Sequence, residues 1–348
     1  MTEFDYYIQQ GEPSQREKAE AWAIAIGLQD VDGLKPSQYL LETARRHIEG
    51  EIDYEETKRL VYSYYETLPA NEQDSDEEEA DKVALHITQV LSEKTFNFSP
   101  AELANIHRRL FMGVLPHAGK YRDVNITKKE WVLNGDTVLY ASCDSISATL
   151  DYDFGQEKQF SYKGLNKVTI IANFSKFISG IWQIHPFREG NTRTTAVFAI
   201  KYLRKLGYRV TYEPFADNAK YFRNALVRAN YQNYEKGIEE TTEFLELFFR
   251  NVLSGEQNDL KKRHEHVDWK ILSAQIPQSS EKQQIGTEKS SEKILRIMAE
   301  QPTITTTILA KEIGISTRAV DKQIAKLKAL GQLQRVGADK GGHWEVIK

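Results

Sequence analysis

The chain is interrupted most sharply at His185-Pro186. Residues 166–184 are apolar at helical spacing, which predicts a buried helix. Proline ends it, because its ring and missing N–H do not suit a helix interior. After Gly190-Asn191 a second helix is predicted, running to about Leu206 and stopping at Gly207. Any fold for this chain must therefore bring two helix ends together at one polar loop.

That loop, His185-Pro186-Phe187-Arg188-Glu189-Gly190-Asn191-Thr192-Arg193-Thr194, crowds complementary chemistry into ten positions. The outgoing helix begins with unpaired backbone N–H groups at Gly190, Asn191 and Thr192, which favour an anion, and glycine lets the backbone come close to it. Arg188 and Arg193 offer bidentate donors suited to phosphate oxygens. Glu189 is a hard oxygen ligand for Mg²⁺ arriving with a nucleoside triphosphate. His185 has the ordinary pKa needed to accept a proton from a hydroxyl nucleophile. Phosphate-transfer chemistry asks for little beyond positioning, charge neutralisation and such a base.

Bulk properties narrow the setting. At 348 residues, two or three compact units are expected, and 28% charged residues with 40% hydrophobic fits a soluble globular protein. No run of about 18 apolar residues is present, so no membrane partner is expected. The N-terminus has neither a basic start nor an apolar core, and Cys143 is the single cysteine, so a reducing, cytoplasmic location is expected. The net charge of −4 is unevenly spread. Residues 1–94 carry 9 basic and 22 acidic side chains, net −13, whereas residues 289–348 carry 11 and 6, net +5. The middle is net +4, so an acidic head, a mildly basic centre and a basic tail are read as three units.

In the head, helices are predicted from Arg16 to Gly27, from Pro36-Ser37 towards Gly50, and after a capping Asp53. Residues 71–94 read as an acidic linker or solvated helix start. Ser99-Pro100 opens a further helix, with serine at the cap and proline at the first helical position. Around Asn134-Gly135 a hairpin is predicted, because this dipeptide supplies the two positive φ values of a type I′ turn. Helices near 217–231 and 236–254 complete the centre, and 255–289 lose periodicity and read as linker. In the tail, three helices (Ser291–Glu300, Ile308–Ile313, Thr317–Leu330) precede two strand candidates, Gln332–Val336 and His343–Ile347.

HPFREGNTRT resembles the signature of the Fic family, H-P-F-x-[DE]-G-N-[GK]-R, with Thr192 the departure. The resemblance spans roughly residues 95–250, including Gly119-Lys120-Tyr121-Arg122 before the hairpin. It implies a mainly α fold: a helical catalytic domain with a β-hairpin flap, preceded by a small helical cap. The corresponding division is 1–70 antitoxin-like head, 71–94 acidic linker, 95–254 catalytic domain, 255–289 linker and 290–348 winged helix-turn-helix.

The resemblance also implies roles. His185 deprotonates a target hydroxyl that attacks the α-phosphate of ATP, and Glu189 holds Mg²⁺. Gly190, Asn191 and Thr192 line the anion hole, Arg188 assists the β-phosphate and Arg193 grips the γ-phosphate. Tyr221 and Asn230 lie where the family seats adenine. The flap residues Trp131, Val132, Asn134 and Gly135 would pair with an extended protein target. Thr192 keeps its N–H, but its β-branch is expected to crowd the α-phosphate side.

Many family members are held inactive by a helix of pattern [ST]-x-x-x-E-[GN], whose glutamate pairs with the γ-phosphate arginine. Residues 28–33 resemble it, with Leu28 for Ser or Thr and Asp32 for Glu, so Asp32 is the first inhibitory candidate and Glu49 the second. The tail has the order of a winged helix, with Ile313-Gly314-Ile315-Ser316 as the tight turn. Ala319, Val320, Ile324, Leu327 and Leu330 are expected to pack inward, leaving Arg318, Lys322 and Lys326 to meet DNA.

Two readings remain. One is a protein adenylyltransferase acting on a Ser, Thr or Tyr hydroxyl of a target or of itself, restrained by its head. The other is a DNA-binding regulator whose core binds nucleotide with weak or altered transfer. A homodimer is compatible with either.

Overall fold

The structure, a computed structural model, describes residues 3–69, 74–269, 290–313, 317–336 and 342–347. It is mainly helical and divides into two compact units, Met1–Ile276 and Pro277–Lys348.

The first unit begins with α1 (Asp5–Gln10), α2 (Pro13–Gly27), α3 (Gln38–Glu49) and α4 (Tyr54–Thr67). The polar residues marked in the sequence as caps act as caps. The Ser37 hydroxyl accepts from the Leu40 N–H, and an Asp53 carboxylate oxygen accepts from Glu56. Gly33 and Gly50 both close their elements with positive φ, 79° and 82°. A short 3-10 turn, Leu28–Asp32, follows α2.

The expected acidic linker is instead an 18-residue helix, α5 (Ser75–Ser92). Its acids Asp76, Glu77 and Glu78 fill the first turn, where negative charge complements the helix dipole, and Asp74 accepts from the N–H groups of Asp76 and Glu77. Behind them Val83, Ala84, Leu85, Ile87 and Val90 are buried in the core. Asp81, wholly buried, ties three helices together by accepting from the Ser37 N–H and hydroxyl and from the Tyr65 hydroxyl.

The centre continues through α6 (Pro100–Phe111), α7 (Ile146–Gln159), α8 (Lys167–Ile184) and α9 (Asn191–Lys205). Then come α10 (Glu213–Asp217), α11 (Ala219–Arg228), α12 (Glu243–Ser254) and a single turn, α13 (Lys262–Glu265). The expected linker therefore starts with chain that packs on the core, since Glu265 is wholly buried. α8 and α9 form the innermost pair, α9 being buried from Asn191 through Leu203.

The expected flap hairpin is not a strand pair. Asn134 (φ 58°) and Gly135 (φ 82°) adopt the two positive φ values, and the Glu130 N–H donates to the Asp136 carbonyl at 2.9 Å. Val132 and Leu133 are both buried, however, and adjacent residues of a strand cannot face the same side. The backbone therefore coils into a 3-10 turn at Trp131–Leu133.

The second unit holds α14 (Ser290–Glu300), α15 (Thr306–Ile313), α16 (Thr317–Ala329), β1 (Leu333–Val336) and β2 (His343–Val346). The strands pair antiparallel, Leu333 opposite Val346 and Arg335 opposite Trp344. Val320, Ile324 and Leu327 are buried together with Ile294, Met298 and Leu309, but Leu330 is exposed, contrary to its expected inward packing. The predicted Gly314-Ile315-Ser316 turn lies outside the described residues.

Candidate active site

α8 ends at His185, which takes a left-handed conformation (φ 50°, ψ 58°) uncommon for a residue with a side chain. The buried Arg122 holds it there. Its Nε donates to the His185 carbonyl at 2.8 Å and its Nη2 to the Ile184 carbonyl at 3.2 Å. Its own N–H donates to the Pro186 carbonyl at 2.8 Å, so one side chain and its backbone clamp the whole turn.

The imidazole of His185 is buried, with Tyr140 packed on it at 4.2 Å between ring centroids. Nδ1 lies 3.3 Å from the Trp182 carbonyl, which can only accept. That fixes the proton on Nδ1 and leaves Nε2 as a lone-pair acceptor, and Nε2 is buried without a hydrogen-bond partner. Burial, reinforced by the Lys128 ammonium and by Arg122 and Arg223, holds the pKa well below the ordinary histidine value. The ring is thus neutral at neutral pH, the state required of a base.

The loop beyond is braced from inside. The Asn191 amide accepts from the Phe187 N–H and donates to the Phe187 carbonyl, at 2.9 and 2.7 Å. Phe187 stacks on His107 with centroids 3.8 Å apart. His107 accepts from the Gly119 N–H through Nδ1 and contacts the Glu189 carbonyl through Nε2. Gly190 (φ 72°) has no room for a side chain: an added Cβ would stand 2.4 Å from the Phe111 ring. Asn191 therefore works in the frame of the loop through its side chain.

Thr192 departs from expectation. Its side chain is buried and its hydroxyl accepts from the Trp182 indole N–H at 2.9 Å, so the β-branch is anchored to α8. Arg188 lies at the surface, paired with Asp123, and Glu189 is exposed. No cluster of three or more His, Cys, Asp or Glu able to hold a metal occurs among the described residues. A lone carboxylate suits Mg²⁺ that travels with phosphates, since that ion is usually held by one or two carboxylates plus substrate oxygens.

Arg193, almost wholly buried, is engaged by the head on every edge, though not hydrogen-bonded on all of them. Nη2 donates to Glu79 at 2.7 Å, Nη1 donates to the Gln29 side-chain oxygen at 3.0 Å, and Nε lies 3.0 Å from the Asp32 carboxylate. The last is an ion pair rather than a hydrogen bond, and Nε is buried without a hydrogen-bond partner. The guanidinium also sits over the Phe111 ring at 4.8 Å. Asp32 is thus beside Arg193, as the sequence suggests. Glu49 is elsewhere, accepting from the Tyr7 hydroxyl. Gln29 and Glu79 were missed, and a signal for Glu79 exists: Ser75-Asp76-Glu77-Glu78-Glu79-Ala80 fits [ST]-x-x-x-E-[GN] at all but its last position. Lys128 was missed too. Burial, with Arg223, lowers its pKa against the opposing pull of Asp32, Glu130 and Glu189, and its charge in turn acts on His185.

The two adenine candidates are both engaged within the fold. Tyr221 is buried among core aromatics, stacked on Phe248, and the Asn230 amide donates to the Ser179 and Leu226 carbonyls. In the flap, Trp131, Asn134 and Gly135 are exposed while Val132 is buried. Arg223 pairs at 2.8 Å with Glu130, whose carboxyl burial pushes up in pKa. On α16, Lys322 and Lys326 are exposed; the Arg318 side chain lies outside the described residues. A cleft of about 790 Å³ elsewhere, between α2, α5 and α9, is lined by Lys18, Lys201 and Arg204. It contains none of residues 185–194, and Lys201 and Arg204 there donate to the carbonyls that end α5.

Residues 97–203 match the Fic/DOC family, and residues 291–343 match an HTH domain. A protein adenylyltransferase, VbhT of Bartonella schoenbuchensis, is 26% identical over 137 residues, which is 39% of this chain. The match spans about a quarter of that relative, 26% of its length. Among solved structures, a Fic family protein from Desulfovibrio desulfuricans shares 14% identity at a TM-score of 0.41, covering 98% of this chain and 90% of that one. BepC from Bartonella tribocorum, solved with bound AMPPNP, shares 20% identity at a TM-score of 0.40, covering 51% and 85%. The chain therefore carries a Fic/DOC domain and a C-terminal HTH domain.

Proposed function

We propose that this chain, carrying a Fic/DOC domain, transfers AMP from ATP to a protein hydroxyl, its own or a target's, and that its head holds the reaction back. The observation that carries the reading is the neutral, buried His185 with a free Nε2 beside an anion-binding helix start. Nε2 takes the proton of the attacking hydroxyl. The hydroxyl oxygen bonds to the α-phosphorus, the bond from that phosphorus to the bridging oxygen breaks, and pyrophosphate leaves. Backbone N–H groups at the start of α9, with Lys128 and Arg193, offset the charge that develops on the phosphate oxygens. Glu189 is the residue that would hold Mg²⁺, which neutralises the phosphates. The Thr192 side chain, tied to Trp182, leaves its backbone N–H for this role.

Restraint follows from Arg193. A γ-phosphate needs the guanidinium edges that Glu79, Gln29 and Asp32 fill. The head thus competes with the triphosphate for one side chain. With ATP labelled at the α-phosphate, the reading predicts incorporation into protein that His185→Ala abolishes. Label arriving only from the γ-phosphate would replace AMP transfer by phosphate transfer.

For the tail, the exposed Lys322 and Lys326 one turn apart on α16 support contact with a DNA backbone. The reducing compartment expected for a chain with one cysteine belongs to the same proposal.

A further inference from the structure

The flap tip is already engaged by the chain itself. The Val267 N–H donates to the Val132 carbonyl at 3.0 Å. The Asn134 amide donates to the Asp268 carboxylate, and the His266 ring meets Trp131 edge-on at 5.0 Å. Three of the four flap residues that the sequence marks for docking are thus held by three consecutive residues, 266–268. The segment is moored next to this contact. The Glu265 carbonyl accepts from Arg228 Nη1 at 2.9 Å, and its carboxyl accepts from the Asn224 amide at 3.1 Å.

We propose that His266-Val267-Asp268 is a tethered occupant of the flap, seated where an extended target segment docks and displaced by it. This rests on the flap being the target-docking surface. An extended segment lying along this turn would bond first to the exposed main chain at Val132, and that carbonyl already accepts from Val267. The occupant's hold is light. Trp131 stays 60% exposed beneath His266, and the contact with the flap is one main-chain bond, one side-chain bond and one ring edge, beside the packing of a half-buried Val267 on the core. Such a contact opens locally at small cost, while the mooring at Glu265 keeps its local concentration high.

The occupant also describes its competitor. A fitting target is an extended peptide with an apolar residue whose N–H meets Val132. An imidazole or other ring before that residue would rest on Trp131, and a carboxylate after it would meet Asn134.

The test uses the full chain, its His266→Ala/Asp268→Ala variant, and a tagged peptide copying residues 263–269. Both substituted side chains are half-buried, so Asp268→Asn provides a milder second variant. Amide exchange at residues 131–136 should quicken at least fivefold in the double variant, and the peptide should bind it at least tenfold more tightly than it binds the parent. Asp268→Asn should fall between. Equal peptide affinity for parent and variant, or unchanged exchange at 131–136, would overturn the proposal. Neither readout involves nucleotide. A chain that transfers no AMP yet shows the competition keeps this inference, and one that transfers AMP without competition loses only this one.

Discussion

Arg193 concentrates the energetics of the site on one side chain. A buried guanidinium cannot be left unpaired cheaply, so whatever fills its edges in the resting chain must be replaced by ligand in the working one. The partners are unequal. Glu79 makes an aligned bond at 2.7 Å, whereas Asp32 is a partly exposed ion pair without alignment. Asp32→Asn should therefore change ATP affinity less than threefold, by calorimetric titration, since the Asp32 carboxylate is partly solvated and makes no hydrogen bond to Arg193. Thr192→Val keeps shape but strands the Trp182 N–H in the core, and should cost about 1–3 kcal/mol in urea unfolding. Much of this was legible. Helix start, glycine turn and the placing of His185 and the arginines follow from the spacing of ten residues, and Asp32 beside Arg193 follows from a degenerate pattern. Glu79 was hidden because a run of acids reads first as solvated surface. Burial of Tyr221 was not legible, because an aromatic at helical spacing fits a core as well as a ligand wall.

At the scale of elements, caps transfer well from sequence to structure because they are local: Ser37, Asp53 and Ser99 each accept the N–H their position predicts. The Asn134-Gly135 turn was legible for the same reason. Its arms were not, since Val132 and Leu133 are buried in the tertiary core and the turn is met by residues 266–268, more than 130 positions away in sequence. That docking leaves a testable trace in Glu265, whose carboxyl burial pushes up to about 10. A raised carboxyl pKa costs stability as pH climbs above the unfolded value, because only the unfolded chain ionises freely. Glu265→Gln keeps the Asn224 contact and removes that cost. Its Tm should exceed the parent's at pH 8 and match it near pH 4.

For the whole molecule, the acidic head packs into the first unit, α2 and α5 sharing one core with α8 and α9. Acid should loosen this unit through its buried histidines. His107 is held neutral, its pKa lowered to about 4 mainly by burial. A depressed histidine pKa contributes stability that is present above the unfolded value near 6.5 and lost as pH falls towards 4, up to about 3 kcal/mol for such a shift. His107→Gln should flatten the fall in denaturant midpoint between pH 7 and pH 4.5. The tail forms its own core around Ile294, Val320 and Trp344. If it meets DNA through α16, binding should weaken steeply with salt, and replacing Lys322 and Lys326 should reduce that slope by about two phosphate contacts. The central claim, restrained AMP transfer, is tested most directly by the rate at which α-labelled ATP with Mg²⁺ labels protein in Glu79→Gly compared with the parent. The account predicts a rise of at least tenfold that His185→Ala removes completely; equal rates, or label that persists without His185, would contradict it.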